Sequence, residues 1–173
     1  MRVRCGTTAG PSSRMYSRTA TLRNRVQDDI DDATPFVNVL EDDSLPIRIA
    51  KVTPTKIYLR SGLVLPSTCI FINGKAFVWT PPRIDPQAAM PNGGGWEAWS
   101  NDIWTLLEIT APRPEILVLG TGDTVLPIPQ RIRAYLHSLG IQLDVQNTRN
   151  ACSTFDLLSE EGRTVAAALL PIS

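Results

Sequence analysis

Between residues 46 and 79, apolar and β-branched residues come in short bursts: Ile47, Ile49 and Val52; Ile57, Tyr58 and Leu59; Leu63, Val64 and Leu65; Cys69 to Ile72; Ala76 to Trp79. Turn-forming pairs separate them, namely Thr53-Pro54, Ser61-Gly62, Pro66-Ser67 and Asn73-Gly74. Bursts of this length, bounded by such residues, predict strands. Asn-Gly between Cys-Ile-Phe-Ile and Lys-Ala-Phe-Val-Trp predicts a tight hairpin, because both central residues of a type I′ turn need positive φ. The N-terminal half therefore reads as an antiparallel β-meander.

Thr80 to Gly95 has no periodicity and carries Pro81, Pro82, Pro86, Pro91 and three consecutive glycines, so a long loop is expected. Trp96, Trp99, Ile103, Leu106 and Leu107 then recur at the spacing of one helix face, which predicts a helix over 96–107 with Trp104 off the centre of the stripe.

The second half changes pattern. Glu115 to Leu119 is a continuous apolar run of strand length. Pro129 to Leu139 is helical, with Ile128, Ile132, Tyr135, Leu136 and Leu139 on one face and Gly140 placed to end it. Ile141 to Val145 is again β-like, so the three elements form a βαβ unit with parallel strands. A further helix is expected over 151–160, capped by Asn150 and closed by Gly162. Thr164 to Leu170 supplies the last strand. Runs apolar on both faces belong inside a covered sheet, which makes Ile116 to Leu119 and Val165 to Leu170 the expected central strands. The fold class is α/β with an antiparallel appendage.

Composition is that of an ordinary globular protein, with 43% hydrophobic residues, 20% charged residues and a formal net charge of zero. The charge is unevenly distributed. Residues 1–27 hold Arg2, Arg4, Arg14, Arg18, Arg23 and Arg25 and no acidic residue, the composition of a mitochondrial transit peptide. Residues 28–45 reverse the sign with Asp28, Asp29, Asp31, Asp32, Glu41, Asp42 and Asp43, which marks an acidic linker. Residues 46–173 then form a single α/β domain. Its balanced charge gives no argument for DNA or RNA binding, and Arg131 and Arg133 make no basic stripe. No apolar run reaches the roughly 20 residues that span a bilayer.

Chemistry-bearing patterns are sparse. Gly120-Thr-Gly-Asp123 after a hydrophobic strand resembles the start of a dinucleotide-binding turn, with Gly120, Gly122 and Asp123 as the candidate cofactor contacts and Asp144 as a candidate ribose contact. The third glycine of that pattern is missing, since position 125 is Val, and Pro127 and Pro129 stand where amide donors would be wanted. A tight turn that lets a strand and a helix approach is therefore the favoured reading of the glycines. Cys152 at an expected helix start would need a base to act as a nucleophile, and His137, the one histidine, falls on a different element. Thr148, Asn150, Ser153 and Thr154 are expected to satisfy free amides of the turn and first helical turn. Cys5, Cys69 and Cys152 have no paired spacing, so reduced thiols are expected rather than a disulfide framework or a metal site. No cofactor and no catalytic residue is assigned. Trp79, Trp96, Trp99 and Trp104 crowd one stretch, and Trp96 and Trp104 are the candidate exposed anchors for a partner protein.

Four phrases carry a resemblance to a known family: Pro114-Glu-Ile-Leu-Val-Leu-Gly-Thr-Gly-Asp123, Gln146-Asn-Thr-Arg-Asn-Ala-Cys-Ser-Thr-Phe155, Glu161-Gly-Arg163 and Ala166-Ala-Ala-Leu-Leu-Pro171. Together they resemble the mitochondrial complex I (NADH:ubiquinone oxidoreductase) assembly factor 3 family, from about Ile47 to Ile172. The resemblance implies a three-layer fold with a central mixed sheet and a β-ribbon. It also implies a non-catalytic matrix protein, at most peripheral to the inner membrane. Such a protein binds early complex I intermediates and complex I subunits beside a second, myristoylation-type assembly factor. The Thr80 to Gly95 loop and the acidic linker depart from the family pattern. Two other readings stay open: the same scaffold serving another mitochondrial complex such as the mitoribosome, through mitoribosomal proteins, and a small-molecule enzyme using the Gly120 to Gly122 loop.

Overall fold

Turn residues divide the N-terminal half where the sequence places them, but the pieces do not all join one sheet. The computed structural model describes residues 47–90 and 94–172, together with the backbone of residues 37–38. In chain order the strands are β1 (Val37–Asn38), β2 (Ile49–Val52), β3 (Lys56–Leu59), β4 (Val64–Pro66), β5 (Cys69–Ile72), β6 (Lys75–Val78), β7 (Ile116–Gly120), β8 (Gln142–Gln146) and β9 (Val165–Leu169). The helices are α1 (Pro86–Ala89), a 3-10 turn (Asn101–Trp104), α2 (Thr105–Ile109), α3 (Gln130–Ser138) and α4 (Thr148–Glu160).

β2, β3 and β4 form a separate three-stranded antiparallel sheet, while β5 and β6 enter a mixed sheet of order β1-β6-β5-β9-β7-β8. The β5–β6 hairpin turns at Asn73 and Gly74, whose φ angles of 48° and 76° are the positive pair that the sequence demands. β7 is parallel to both β8 and β9, and β9 is antiparallel to β5. β7 and β9 are buried at every position, as strands covered on both faces must be. Two residues of the expected acidic linker, Val37 and Asn38, pair with Val78 and Phe77 at the far edge. The arginine-rich leader, its Cys5 and the rest of the linker lie outside the described residues.

Alternation along the strands sorts the core into two halves. Ile70, Ile72, Leu117, Leu119, Ala166 and Ala168 share one cluster with the four tryptophans and with Ile132 and Leu136 of α3. Cys69, Phe71, Ile116, Val118, Val165, Ala167 and Leu169 share the other with Ala151, Cys152 and Phe155 of α4 and with Ile49, Ile57 and Leu65 of the small sheet. The layers are therefore α1, α2, α3 and the tryptophan segment; the mixed sheet; and α4 with the small sheet. β-strand pleating makes this partition unavoidable, because successive side chains point to opposite faces.

Three expected elements differ in detail. The expected loop 80–95 contains α1, started by Asp85, whose carboxylate accepts the Gln87 amide at 2.9 Å, with Pro86 pre-set for the first helical position. The expected helix 96–107 is broken: Trp96 and Trp99 precede the 3-10 turn, and only Thr105–Ile109 is α-helical. Ser100, Asn101 and Asp102 interrupt the stripe with side chains that favour turns, and Thr105 Oγ1 donates to the Asp102 carbonyl at 2.7 Å. The last helix starts three residues early. Asn147, not Asn150, is its cap, with Oδ1 accepting the Asn150 amide at 2.8 Å. Gly162 follows its end with φ of 76°, as expected.

Candidate functional site

The Gly120 to Gly122 turn is bound into the start of α4. Thr121 donates its amide to the Gln146 carbonyl at 3.0 Å, and Gly122 donates its amide to Thr148 Oγ1 at 2.9 Å. Thr148 donates its own amide to the Gly122 carbonyl at 2.7 Å and its hydroxyl to the Leu170 carbonyl at 2.7 Å. Thr121 Oγ1 also accepts the Leu126 amide at 3.1 Å. The Thr121 and Gly122 amides, which a phosphate on this turn would call on, are engaged within the fold. A Cβ on Gly120 would lie 2.9 Å from Thr148 Cα, and one on Gly122 would lie 2.9 Å from the Pro171 carbonyl oxygen. Gly120 serves the close approach of strand and helix, and Gly122, with φ of 99°, serves the turn and its approach to the segment after β9. Asp123 is exposed beside them, and Asp144 accepts a hydrogen bond from Gln146 Nε2 at 2.7 Å on β8. A cavity of about 500 Å³ adjoins the turn, walled by Pro81, Pro82, Arg83 and Pro86 and floored by Thr121, Leu126 and Leu170.

Cys152 and His137 sit in different layers, since α4 packs on one face of the mixed sheet and α3 on the other. Burial pushes both Cys69 and Cys152 thiols up to about 12, with the Asp156 charge adding to the effect at Cys152. These are structural thiols. Among the described residues, no group of three His, Cys, Asp or Glu side chains is placed to hold a metal ion. No helix among them is long and apolar enough to cross a membrane.

All four tryptophans are core residues, which corrects the expectation of an exposed Trp96 or Trp104. Each of those two is 1% exposed. Their rings meet those of Trp79 and Trp99 at centroid distances from 4.8 to 6.1 Å, edge-on or tilted, as ring quadrupoles prefer. Two small residues of β9, Ala166 and Ala168, share this cluster and leave space for the indoles. Trp79 Nε1 donates to the Leu169 carbonyl at 3.4 Å and Trp99 Nε1 to the Pro82 carbonyl at 3.1 Å.

Several organising side chains carry no local signal. Arg131 of α3 donates to the carbonyls of Trp99, at 2.6 Å, and Trp96, fastening the irregular tryptophan segment to a helix. Arg113 donates to the carbonyls of Glu108 and Leu139, each at 3.2 Å, where α2 and α3 end and carbonyls lack helical partners. Tyr135 donates to the Glu108 carboxylate, and burial followed by that bond pushes the phenol up to about 12. On the other face, Asp156 accepts the Ile49 amide at 3.2 Å on both carboxylate oxygens, while Arg48 pairs with Glu160. Among the described residues β2 is an edge of the small sheet, and because the Arg60 amide bonds the Arg48 carbonyl at 2.8 Å, the Ile49 amide faces away from β3 and is open to α4.

An open groove of about 920 Å³ runs between α3 and β8, lined by Gln130, Arg133, Ala134 and His137 on the helix, by Ile141 before the strand and by Gln142 and Leu143 on it. Gln130, Arg133, Ala134 and His137 are spaced as one helix face, distinct from the Ile132 and Leu136 face that enters the core.

A family model described as a protein of unknown function (DUF498/DUF598) matches residues 49–170, from the first strand of the small sheet to the residue after β9. The chain is 39% identical over 101 residues to "NADH dehydrogenase [ubiquinone] 1 alpha subcomplex assembly factor 3" of Xenopus tropicalis, covering 58% of this chain and 55% of that protein. It is 32% identical over 124 residues to the Bos taurus protein of the same name, covering 71% and 65%. The chain thus spans between about half and two thirds of the length of these relatives. A crystal structure of an outer membrane protein from Bartonella henselae is similar at 25% identity with a TM-score of 0.56, covering 74% of this chain and 97% of that one. The chain belongs to the DUF498/DUF598 family, and the named relatives it resembles are complex I assembly factor 3 proteins.

Proposed function

We propose that this protein is a non-catalytic assembly factor of mitochondrial respiratory complex I that binds early intermediates of the complex. The observation that carries the reading is the similarity to proteins named for that assembly role, at 39% identity over 101 residues and 32% over 124. The fold is consistent with a binding role, because the polar side chains and amides of the glycine turn are occupied in holding its shape. The mitoribosome reading draws no support from the relatives' names. Residues 1–27, rich in arginine and free of acidic residues, support import into mitochondria, and the matrix is the compartment proposed. Complex I subunits and a second assembly factor are the partners proposed.

Affinity isolation of the full chain from mitochondria, followed by mass spectrometry, tests this. Complex I subunits and assembly factors should be enriched over a tag-only control. Enrichment of ribosomal proteins instead, or of neither, would remove the proposal.

A further inference from the structure

Among the described residues, β8 is an edge of the mixed sheet, paired on one side only. Its register against β7 fixes which backbone groups face outward. The Gln142 amide donates to Glu115 at 2.8 Å and the Gln146 carbonyl accepts from Thr121 at 3.0 Å, so Gln142, Asp144 and Gln146 turn their backbone groups inward to β7. Leu143 and Val145 therefore direct their N–H and C=O groups to the open side. Unpaired edges of this kind are templates for another strand unless charge, proline or a bulge blocks them, and β8 has neither proline nor register break.

Charge identifies what the edge fits. Leu143 and Val145 pack their side chains toward the tryptophan face, the side on which α3 presents Arg133 and His137 to the groove. Asp144 lies on the opposite face, where Gln146 bonds both it and Thr154 of α4. An added strand would thus meet positive charge on its α3 side and negative charge one residue along, on its α4 side. A second copy of β8 fits poorly. In the antiparallel register that uses Leu143 and Val145 of both copies, Asp144 falls opposite its own counterpart, and like charges directly opposite destabilise a pair.

We infer that β8 is the docking edge for an extended segment of a partner protein, which adds to the sheet as a further strand with an acidic side chain toward Arg133 and a basic side chain toward Asp144. Main-chain bonds to Leu143 and Val145 supply affinity, and the two charged contacts supply register. The identity of the partner rests on the assembly-factor reading; the edge itself rests on strand register.

Full-length Leu143→Pro removes an outward N–H without removing a bond inside the sheet. Arg133→Glu combined with Asp144→Lys reverses both charges at exposed or half-exposed positions, and serves if the proline variant fails to fold. Both are compared with the unaltered chain by thermal melting, by recovery of complex I subunits from mitochondria, and by sedimentation. A photo-crosslinker replacing Gln142 maps the contact. The expected result is unchanged folding with recovery of the subunits reduced about tenfold or more, the equivalent of about 1.4 kcal/mol, and an adduct on a segment of alternating acidic and basic residues. Undiminished recovery with a folded variant would overturn the edge proposal and leave the assembly reading intact. A dimer of the unaltered chain that Leu143→Pro converts to monomer would overturn the commitment to a foreign segment. A crosslink to an identified protein outside complex I, lost on charge reversal, would support the edge and remove the assembly reading.

Discussion

Thr148 and Gly122 hold each other by two hydrogen bonds running in opposite directions: the Gly122 amide donates to Thr148 Oγ1 at 2.9 Å, and the Thr148 amide donates to the Gly122 carbonyl at 2.7 Å. Because Thr148 Oγ1 also donates to Leu170, one buried hydroxyl joins the end of β7, the start of α4 and the end of β9. Thr148→Val keeps the shape but leaves the Gly122 amide and the Leu170 carbonyl without that partner. At about 1–3 kcal/mol per unsatisfied buried group, a loss of roughly 2–4 kcal/mol is expected in urea unfolding. Thr148→Ser retains both bonds and should lose far less. A stable Thr148→Val beside a weakened Thr148→Ser would mean that the methyl group, not the hydroxyl, matters.

Gly120→Ala tests the same approach sterically. The added Cβ meets backbone at 2.9 Å, so strand and helix must part, and about 1–3 kcal/mol of stability should go with them. A neutral result, read as an unchanged urea midpoint and slope, would show that the turn has room for a side chain and would reopen it as a ligand-binding loop.

The glycine turn also shows where sequence reading stops. The Asn73-Gly74 hairpin, the βαβ unit and the two buried central strands were legible because each depends on local conformation or on strand-length apolar runs. The choice between Asn147 and Asn150 as the cap of α4 was not, since both residue types cap equally well and the decision lies with Thr148, whose partners Gly122 and Leu170 are 26 and 22 residues away. The tryptophan stripe misled for a related reason. Its helical spacing is real, but Ser100 to Asp102 break the helix, and the rings converge by tertiary packing onto the space left by alanines in β9. Long-range anchors such as Arg131 leave no periodic trace at all.

Arg131 gives the third prediction. Its guanidinium satisfies two carbonyls of a segment that has little regular structure of its own, so Arg131→Met should release that segment from α3. Hydrogen bonds to a charged donor are worth about 1.5–3 kcal/mol when well formed, and partial exposure places the expected loss near the low end, about 1–2 kcal/mol for the pair. Near-ultraviolet circular dichroism reports the asymmetric packing of the four indoles and should lose intensity while the far-ultraviolet spectrum is retained. An unaltered near-ultraviolet spectrum would mean that the ring contacts alone fix the segment.

The two thiols predict an alkaline limit. Folded Cys69 and Cys152 titrate near 12 against an ordinary 9.0, so the folded state holds these protons more tightly than the unfolded chain. Stability from this source is complete below about pH 9 and falls as the pH rises toward 12. At pH 8 neither thiol should react with iodoacetamide until denaturant is added, as peptide mapping would show. Rapid labelling of Cys152 in the folded protein would indicate a nucleophile after all.

Asp156 predicts an acid-side effect of opposite origin to the usual carboxylate. Burial raises its pKa above the ordinary 3.8, and the Ile49 amide, Arg48 and Arg60 only partly oppose that shift, while Glu160 adds to it. A carboxyl whose folded pKa exceeds its unfolded value binds protons more tightly when folded, so its contribution is most favourable below about pH 3.8 and is lost as the pH rises through the folded value. Asp156→Asn retains an oxygen for the Ile49 amide and carries no charge, so that loss disappears. The difference in urea midpoint between the variant and the unaltered chain should therefore move in the variant's favour as the pH rises from about 3 to about 7. A difference moving the other way would show that Arg48 and Arg60 outweigh burial, making the β2–α4 junction an ion-pair network rather than a desolvated carboxylate held by one backbone amide.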